Sequence, residues 1–236
     1  MSRENYYPAS GIEDNIGSAM RRHFYYYNIM DGNLFEAFDS FGGLRGKEVL
    51  IVGSNIPWYE SNCVVRGAKT TTLEYLPRFY DHPSMSNVMV GEQLNKLLQA
   101  GKLFHTILCI SSIEHDGLGR CGGPTPNFTT KLQYHITRFR YGDPINPTAD
   151  LETMQRMKGM LVRGGLLYIS FPVGRDAVVW TACRVYGKAR IPLLFKGWTL
   201  LGAFGAQPGV YEQVANIHTQ PVFVLRNDGV DNIVLP

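Results

Sequence analysis

The feature that most limits the folds open to this chain is the alternation of strand-like and helix-like stretches that begins near Gly46. "KEVLIVGS" (47–54) is a short apolar run stopped by Gly53 and Ser54. "PWYESNCVVRG" (57–67) opens with Pro57, whose fixed φ suits a first helical turn, and stops at Gly67; "TTTLEY" (70–75) is β-branched and ends in an acid. Together they read as one β-α-β unit. "LFHTILCIS" (103–111) reads as another buried strand. "TADLETMQRMKGMLVRGG" (148–165) reads as a helix with Leu151, Met154, Met157 and Leu161 on one face, closed by Gly164 and Gly165. "LLYISFPVG", "WTLLGAFG" and "PVFVLRND" follow as further strands. Strands alternating with helices predict an α/β domain built on an open, mostly parallel sheet. Ligands of such sheets sit beyond the carboxyl ends of the strands, where the strand order reverses. That directs attention to the residues after "VLIVG", "TTLEY", "TILCIS" and "LLYISFP".

Composition sets outer bounds. The 236 residues are 44% hydrophobic, 12% aromatic and 18% charged, enough apolar side chain for a sizeable core and too much for wholesale disorder. A net charge of +3, from 23 basic and 20 acidic residues, is too small to point to nucleic acid or an anionic membrane as partner. "RRHFYYY" (21–27) mixes bases and aromatics as a single-strand stacking surface would. A short N-terminal helix with its Arg pair in solvent is the simpler account. Cys63, Cys109, Cys121 and Cys183 form no CxxC pair and no Cys/His cluster at zinc spacing, so they fit reduced, mostly buried thiols, and no metal is expected. The polar start "MSRENYYPAS" and the absence of an apolar run near the roughly 20 residues that span a bilayer predict a soluble, cytoplasmic protein. The sequon at Asn127 adds little.

Two loops carry the chemistry-bearing residues. Glu74 ends its strand 21 positions after Gly53. In nucleotide-binding Rossmann folds the first turn lets backbone approach the cofactor, and an acid about 20 residues on accepts hydrogen bonds from ribose hydroxyls. Gly53, Ser54, Asn55, Trp58, Glu74 and Ser112 are therefore the expected cofactor contacts. Only one glycine stands where a dinucleotide loop carries two or three, which disfavours a pyrophosphate; S-adenosylmethionine has no phosphate and tolerates a looser turn. The alternative is a strand-ending glycine and a solvated acid in a fold that binds no nucleotide. "SSIEHDGLGR" (111–120) packs polar groups behind a buried strand, as a cleft-lining loop does. There Glu114 and His115 are candidates for a general base, or else a loop-ordering pair. Tyr141 and Asp143, in the Asp-Pro turn of "YGDPINP", would shape the acceptor side.

The segments "VLIVGSNIPWYE", "TTLEY", "SSIEHDGLGR" with "YGDPINPTADLETM", "LVRGGLLYISFPVGRDAVVW" and "RVYGKARIPLLFKGW" resemble the family named domain of unknown function 268, over most of Gly46 to Trp198. That family in turn resembles class I S-adenosylmethionine-dependent methyltransferases. The resemblance implies a Rossmann-like, doubly wound sheet in three α-β-α layers, with S-adenosylmethionine as cofactor. It also implies methyl transfer to a small-molecule or glycan acceptor. The first loop, "IVGSNIPW", departs from the acid and two or three glycines usual there. Two other readings stay open: a non-catalytic Rossmann-like binding module, and a glycan-assembly protein using a nucleotide sugar, against which the lack of a DxD motif counts.

In domain terms, residues 1–45 read as a helical arm packed on a domain of residues 46–236. Within it, residues 121–140 read as an insertion in one continuous loop. The flanks match an uninterrupted "GLGRYGDP" family pattern, an Arg stands at each junction, and Phe139-Arg140 can be encoded by a splice-acceptor-like sequence. A retained intron or gene-model error is thus expected over a lid that would close with Tyr134, Ile136 and Phe139. The segment's scattered Gly, Pro, Thr and Asn predict disorder.

Overall fold

The computed structural model describes residues 5–23, 29–90, 92–119, 145–179, 182–214 and 220–229. Seven strands form the central sheet: β1 Glu48–Val52, β2 Lys69–Glu74, β3 Met85–Met89, β4 Phe104–Ile110, β5 Leu161–Ser170, β6 Thr199–Phe204 and β7 Val222–Arg226. Their spatial order is β6-β7-β5-β4-β1-β2-β3. Neighbours from β3 to β5 pair in parallel, whereas β7 runs antiparallel to both β5 and β6. The sheet is therefore mixed, though mainly parallel. A parallel return needs a crossover of a dozen or more residues, usually helical. The chain returns beside β6 in the opposite direction, and the described part of the β6–β7 connection holds the single turn Val210–Glu212.

The helices are α1 Ala9–Met20, α2 Ile29–Phe41, α3 Trp58–Val65, α4 Glu92–Gln99, α5 Ala149–Met160 and the short α6 Ile191–Leu194. Side chains alternate across a strand, so each buried strand feeds two cores. Val49, Ile51, Leu108, Ile110, Tyr168, Val222 and Val224 pack with Ala19, Leu34, Phe35, Phe38, Trp58 and Cys63 of α1 to α3. Leu50, Ile107, Cys109, Leu167, Ile169, Phe223 and Leu225 face Met154, Met157 and Met160 of α5 and Leu194 of α6. Helices thus cover both faces, and the Cys63, Cys109 and Cys183 thiols are buried and form no disulfide among the described residues. Cys121 lies outside the described residues.

The expected end of α5 shifts. The helix stops at Met160, and Leu161, extended at φ −95° and ψ 142°, already begins β5. The cause is remote: Asn227, just past β7, donates through Nδ2 to the carbonyls of Lys158 and Leu161 at 3.1 and 3.2 Å. Gly164, at φ +77°, serves an irregularity inside β5, where its N–H donates to Asn227 O at 2.6 Å. No helix among the described residues is long and apolar enough to cross a membrane.

Before α1, Tyr6–Tyr7 pair in parallel with Phe79–Tyr80. Of "RRHFYYY", residues 24–28 lie outside the described residues, while Arg22 pairs with Asp39 at 2.7 Å and lies over the Phe35 ring.

Candidate functional site

The strand ends converge as the β-α-β spacing predicts. Gly53 leaves β1 at φ +73°, where an L side chain is strained, and a Cβ added there would stand 2.5 Å from Ser112 Oγ. The turn can approach the loop after β4 only because residue 53 lacks a side chain. Glu74 ends β2 and is buried; its Oε1 accepts the Ser54 N–H at 2.7 Å and its Oε2 the Tyr75 N–H at 3.2 Å. An ionised carboxylate has about four lone-pair sites, so each oxygen keeps one for a ligand.

These groups open on a cavity of about 550 Å³. Gly53, Glu74, Tyr75, Ser112 and Asp116 line it on the strand-end side. Leu73, Val90, Leu94, Ile113, Met157 and Met160 give it an apolar wall, with Thr153 and Arg156 of α5 toward the rim. Thr153 Oγ1 donates to Asp116 Oδ2 at 2.7 Å, fixing that carboxylate to α5.

The structure thus brings Gly53, Glu74 and Ser112 to one cavity and leaves the other expected contacts off its lining. Ser54 is buried beneath the turn, and Asn55 is exposed on its outer side, where its carbonyl accepts the Tyr7 hydroxyl at 2.5 Å. Trp58 is fully buried in the core on the α1–α3 face, its Nε1 donating to Asp31 Oδ1 at 3.2 Å. A residue five places after the glycine falls at the start of the helix, and an indole there is taken up by packing. Glu114 is 1% exposed, with Ser111 Oγ donating to its Oε1 at 2.6 Å. His115 Nδ1 lies 2.8 Å from Ala182 O, and its Nε2 is 3.7 Å from Glu114 Oε1. Neither side chain is on the cavity lining; the carboxylate of this loop that faces the cavity is Asp116. A single turn over Ile113–His115 rotates Glu114 inward and Asp116 outward, a detail no spacing rule gives. Tyr141 and Asp143 lie outside the described residues. Also missed was α4, whose Leu94 supplies wall; none of its residues is fully buried, so the local apolar signal is weak. Among the described residues no group of three or more His, Cys, Asp or Glu is placed to hold a metal ion.

Comparison with known proteins places the architecture. The family described as "Caenorhabditis protein of unknown function, DUF268" matches residues 127–226, overlapping the resemblance read from the sequence over 127–198. Among solved structures, the chain is similar to the N-methyltransferase NodS from Bradyrhizobium japonicum in complex with S-adenosylhomocysteine. The TM-score is 0.51 at 14% identity, covering 93% of this chain and 98% of that one. It is also similar to the 1,6-didemethyltoxoflavin-N1-methyltransferase from Burkholderia thailandensis, at TM-score 0.49 and 12% identity, over 91% of this chain and 86% of that one. A Streptococcus mutans protein described as a candidate S-adenosylmethionine-dependent methyltransferase matches 78% of this chain at TM-score 0.44 and 14% identity. The chain spans 46% of that protein's length, less than half. At such identities the likeness is one of fold. No protein of curated function has a detectably similar sequence.

Proposed function

We propose that this chain is a Rossmann-like, doubly wound methyltransferase of class I type that binds S-adenosylmethionine and methylates a small-molecule or glycan acceptor, with residues 1–45 as an arm on the domain of residues 46–236. The observation that carries the proposal is the meeting, at one cavity, of the positive-φ Gly53 turn and the buried Glu74 carboxylate at adjacent parallel strand ends. The residues present fit the cofactor. A volume of about 550 Å³ suits a ligand of this size. The free lone pairs of Glu74 suit two ribose hydroxyls, and Val90, Leu94, Ile113 and Met157 offer an apolar slot for a purine face.

When bound, S-adenosylmethionine supplies an electrophilic methyl group on a sulfonium. This chain's residues contribute chiefly positioning, which for a displacement of this kind is worth several powers of ten. Glu74 orients the ribose, Gly53 admits the backbone close to the ligand, and Ser112 offers a hydroxyl at the junction of the two loops. Where the acceptor must lose a proton, Asp116 is our choice of base, because it lies on the cavity wall and is fixed by Thr153. Glu114 and His115 order the loop behind it.

Calorimetry of the purified chain with S-adenosylmethionine, S-adenosylhomocysteine, NAD and a UDP-sugar tests the proposal. The first two are expected to bind and the last two not. Preference for NAD or the UDP-sugar would overturn it, and binding with no methyl transfer to any acceptor would reduce the protein to a binding module.

A further inference from the structure

Beneath the Gly53 turn, in the first turn of α3, lies a fully buried carboxylate that the proposed chemistry does not use: Glu60, 0% exposed. Its contacts are its own backbone N–H and three hydroxyls. Thr72 Oγ1 of β2 donates to Oε1 at 2.6 Å, Tyr80 OH approaches Oε1 at 3.3 Å, and Ser54 Oγ stands 3.0 Å from Oε2. Among the described residues no Lys or Arg forms an ion pair with it. A lone ionised carboxylate out of water is so costly that such a group takes up a proton instead.

Proton counting leads to the same state independently. Ser54 Oγ also lies 2.8 Å from the carbonyl oxygen of Ile56. A hydroxyl has one proton, and a carbonyl can only accept, so that proton goes to Ile56 O. The remaining contact, Ser54 Oγ to Glu60 Oε2, then needs a proton of its own, and only the carboxyl can supply it. With Glu60 neutral the chain Glu60 Oε2–H to Ser54 Oγ–H to Ile56 O gives each contact its own proton; with Glu60 ionised the single Ser54 proton is shared between two acceptors in a weaker three-centre bond.

We infer that Glu60 works as a neutral acid and is a positioning residue for the turn formed by residues 53–57. Ser54 is the link. Its hydroxyl is fixed by Glu60 and its N–H is delivered to Glu74 Oε1, so the proton on Glu60 sets the geometry of the carboxylate that faces the cavity. From above, Tyr7 stacks on Tyr80 with centroids 5.5 Å apart, and its hydroxyl, which accepts from Arg78, donates to Asn55 O. The inference about cofactor binding rests on the function proposed above; the protonation state does not.

Burial raises the Glu60 pKa, against the lowering effect of the hydroxyls around it and of its own backbone N–H. A carboxyl whose folded pKa exceeds its unfolded value contributes stability that is fully present below the unfolded pKa, near 4.3, and is lost as pH rises through the folded one. The titratable groups that face it are Tyr80 and Tyr7 at the Phe79–Tyr80 strand and Cys63 along α3, with Glu74 and Arg78 acting on Tyr7 beyond them. Burial raises the pKa of Tyr80, Tyr7 and Cys63 as well, so all three are neutral at neutral pH.

The test compares wild type, Glu60→Gln and Glu60→Ala. Glutamine keeps an acceptor at Oε1 and places a permanent donor at Oε2. Infrared spectra of the ligand-free wild type at about pH 7 should show a carboxylic-acid carbonyl band that Glu60→Gln lacks. Affinity for S-adenosylmethionine should stay within about three-fold of wild type in Glu60→Gln and fall roughly ten-fold or more in Glu60→Ala. Above the folded pKa of Glu60 the wild type should weaken by up to about ten-fold per pH unit, while Glu60→Gln stays flat. A spectrum without that band, or an equal loss of affinity in Glu60→Gln and Glu60→Ala, overturns the inference. If neither protein binds S-adenosylmethionine the proposed function fails, and the infrared band with the pH dependence of thermal melting still decides the state of Glu60.

Discussion

Around the turn of residues 53–57, the buried carboxylate of Glu60 is held by hydroxyls; at the start of α5, the buried carboxylate of Asp150 is held by guanidiniums. Arg190 grips Asp150 through Nη2 at 2.5 Å and Nε at 2.9 Å, and Arg184 Nε stands 4.0 Å away. Arg184 also donates to the carbonyls of Asp116 and Asn146, and Arg190 to that of Pro147 at 2.5 Å. The difference follows the sequence distance each cluster bridges. The turn cluster joins residues 54, 60, 72 and 80, neighbours along one β-α-β unit, and short hydroxyls suffice. The α5 cluster joins 116, 146–150 and 184–190, brought together only by the fold, and it uses the longest cationic side chains. The turn half of this pair is therefore held by neutral hydroxyl contacts and the α5 half by charge.

The largest expected break is Asp150→Ala. It leaves Arg184, 4% exposed, and the partly buried Arg190 without their anion, and removing one partner of such a cluster costs about 3 to 5 kcal/mol. A denaturant midpoint within error of wild type would show that the guanidiniums find other partners and that the two halves are less different than described. Asp150→Asn, which keeps the shape, should fall between.

Glu74→Ala comes next. Losing a charge-assisted hydrogen bond to ribose should weaken S-adenosylmethionine by about 1.5 to 3 kcal/mol, roughly 10- to 150-fold, with the fold intact. Unchanged affinity in calorimetry would withdraw Glu74 from the site and leave it a strut for Ser54. Gly53→Ala is smaller, about 1 to 2 kcal/mol of stability for the left-handed backbone plus the contact with Ser112 Oγ at 2.5 Å. Comparing it with Gly53→Ala/Ser112→Ala separates the two. Removing the hydroxyl should recover only the contact, and full recovery would mean that the backbone conformation is not the reason for glycine.

Much of this was legible in the sequence, and what was not has physical causes. β1, β2, β4, β5 and α3 announce themselves as contiguous apolar or β-branched runs with clear stops, and the Gly or acid that ends two of them places Gly53 and Glu74. The direction of β7 is not carried by "VFVLR", which reads alike both ways; the connection decides it. Trp58 looked like a cofactor contact because it follows the turn, yet a helix start directs side chains by rotation and this one points into the core. Asp116 was overshadowed by Glu114 and His115, since one tight turn decides which of three adjacent polar residues meets the cavity. Glu60 had no sequence signal, because its partners gather only once β2 and the Phe79–Tyr80 strand flank α3.

The smallest effect concerns residues 121–140, which follow the loop that carries Asp116. Leu118 and Ile145 form an antiparallel bridge, and Asn146 N–H donates to Gly117 O at 2.9 Å, so the flanks of the intervening chain are joined at its base. That chain is 26 residues, 119 to 144; without residues 121–140 it would be 26 − 20 = 6, Gly119-Arg120-Tyr141-Gly142-Asp143-Pro144. Six residues rich in Gly and Asp-Pro can turn between antiparallel partners. Shortening the loop by roughly two doublings of length should return about 1 kcal/mol of closure entropy. We therefore expect the shortened chain to melt at or slightly above the full-length temperature and to bind S-adenosylmethionine at least as well. The family match, which begins at residue 127, includes part of the segment, and that makes the experiment pointed. If deletion lowers the melting temperature or weakens the ligand, and every mature transcript encodes the segment, then residues 121–140 belong to the acceptor half and the splicing account of their origin fails.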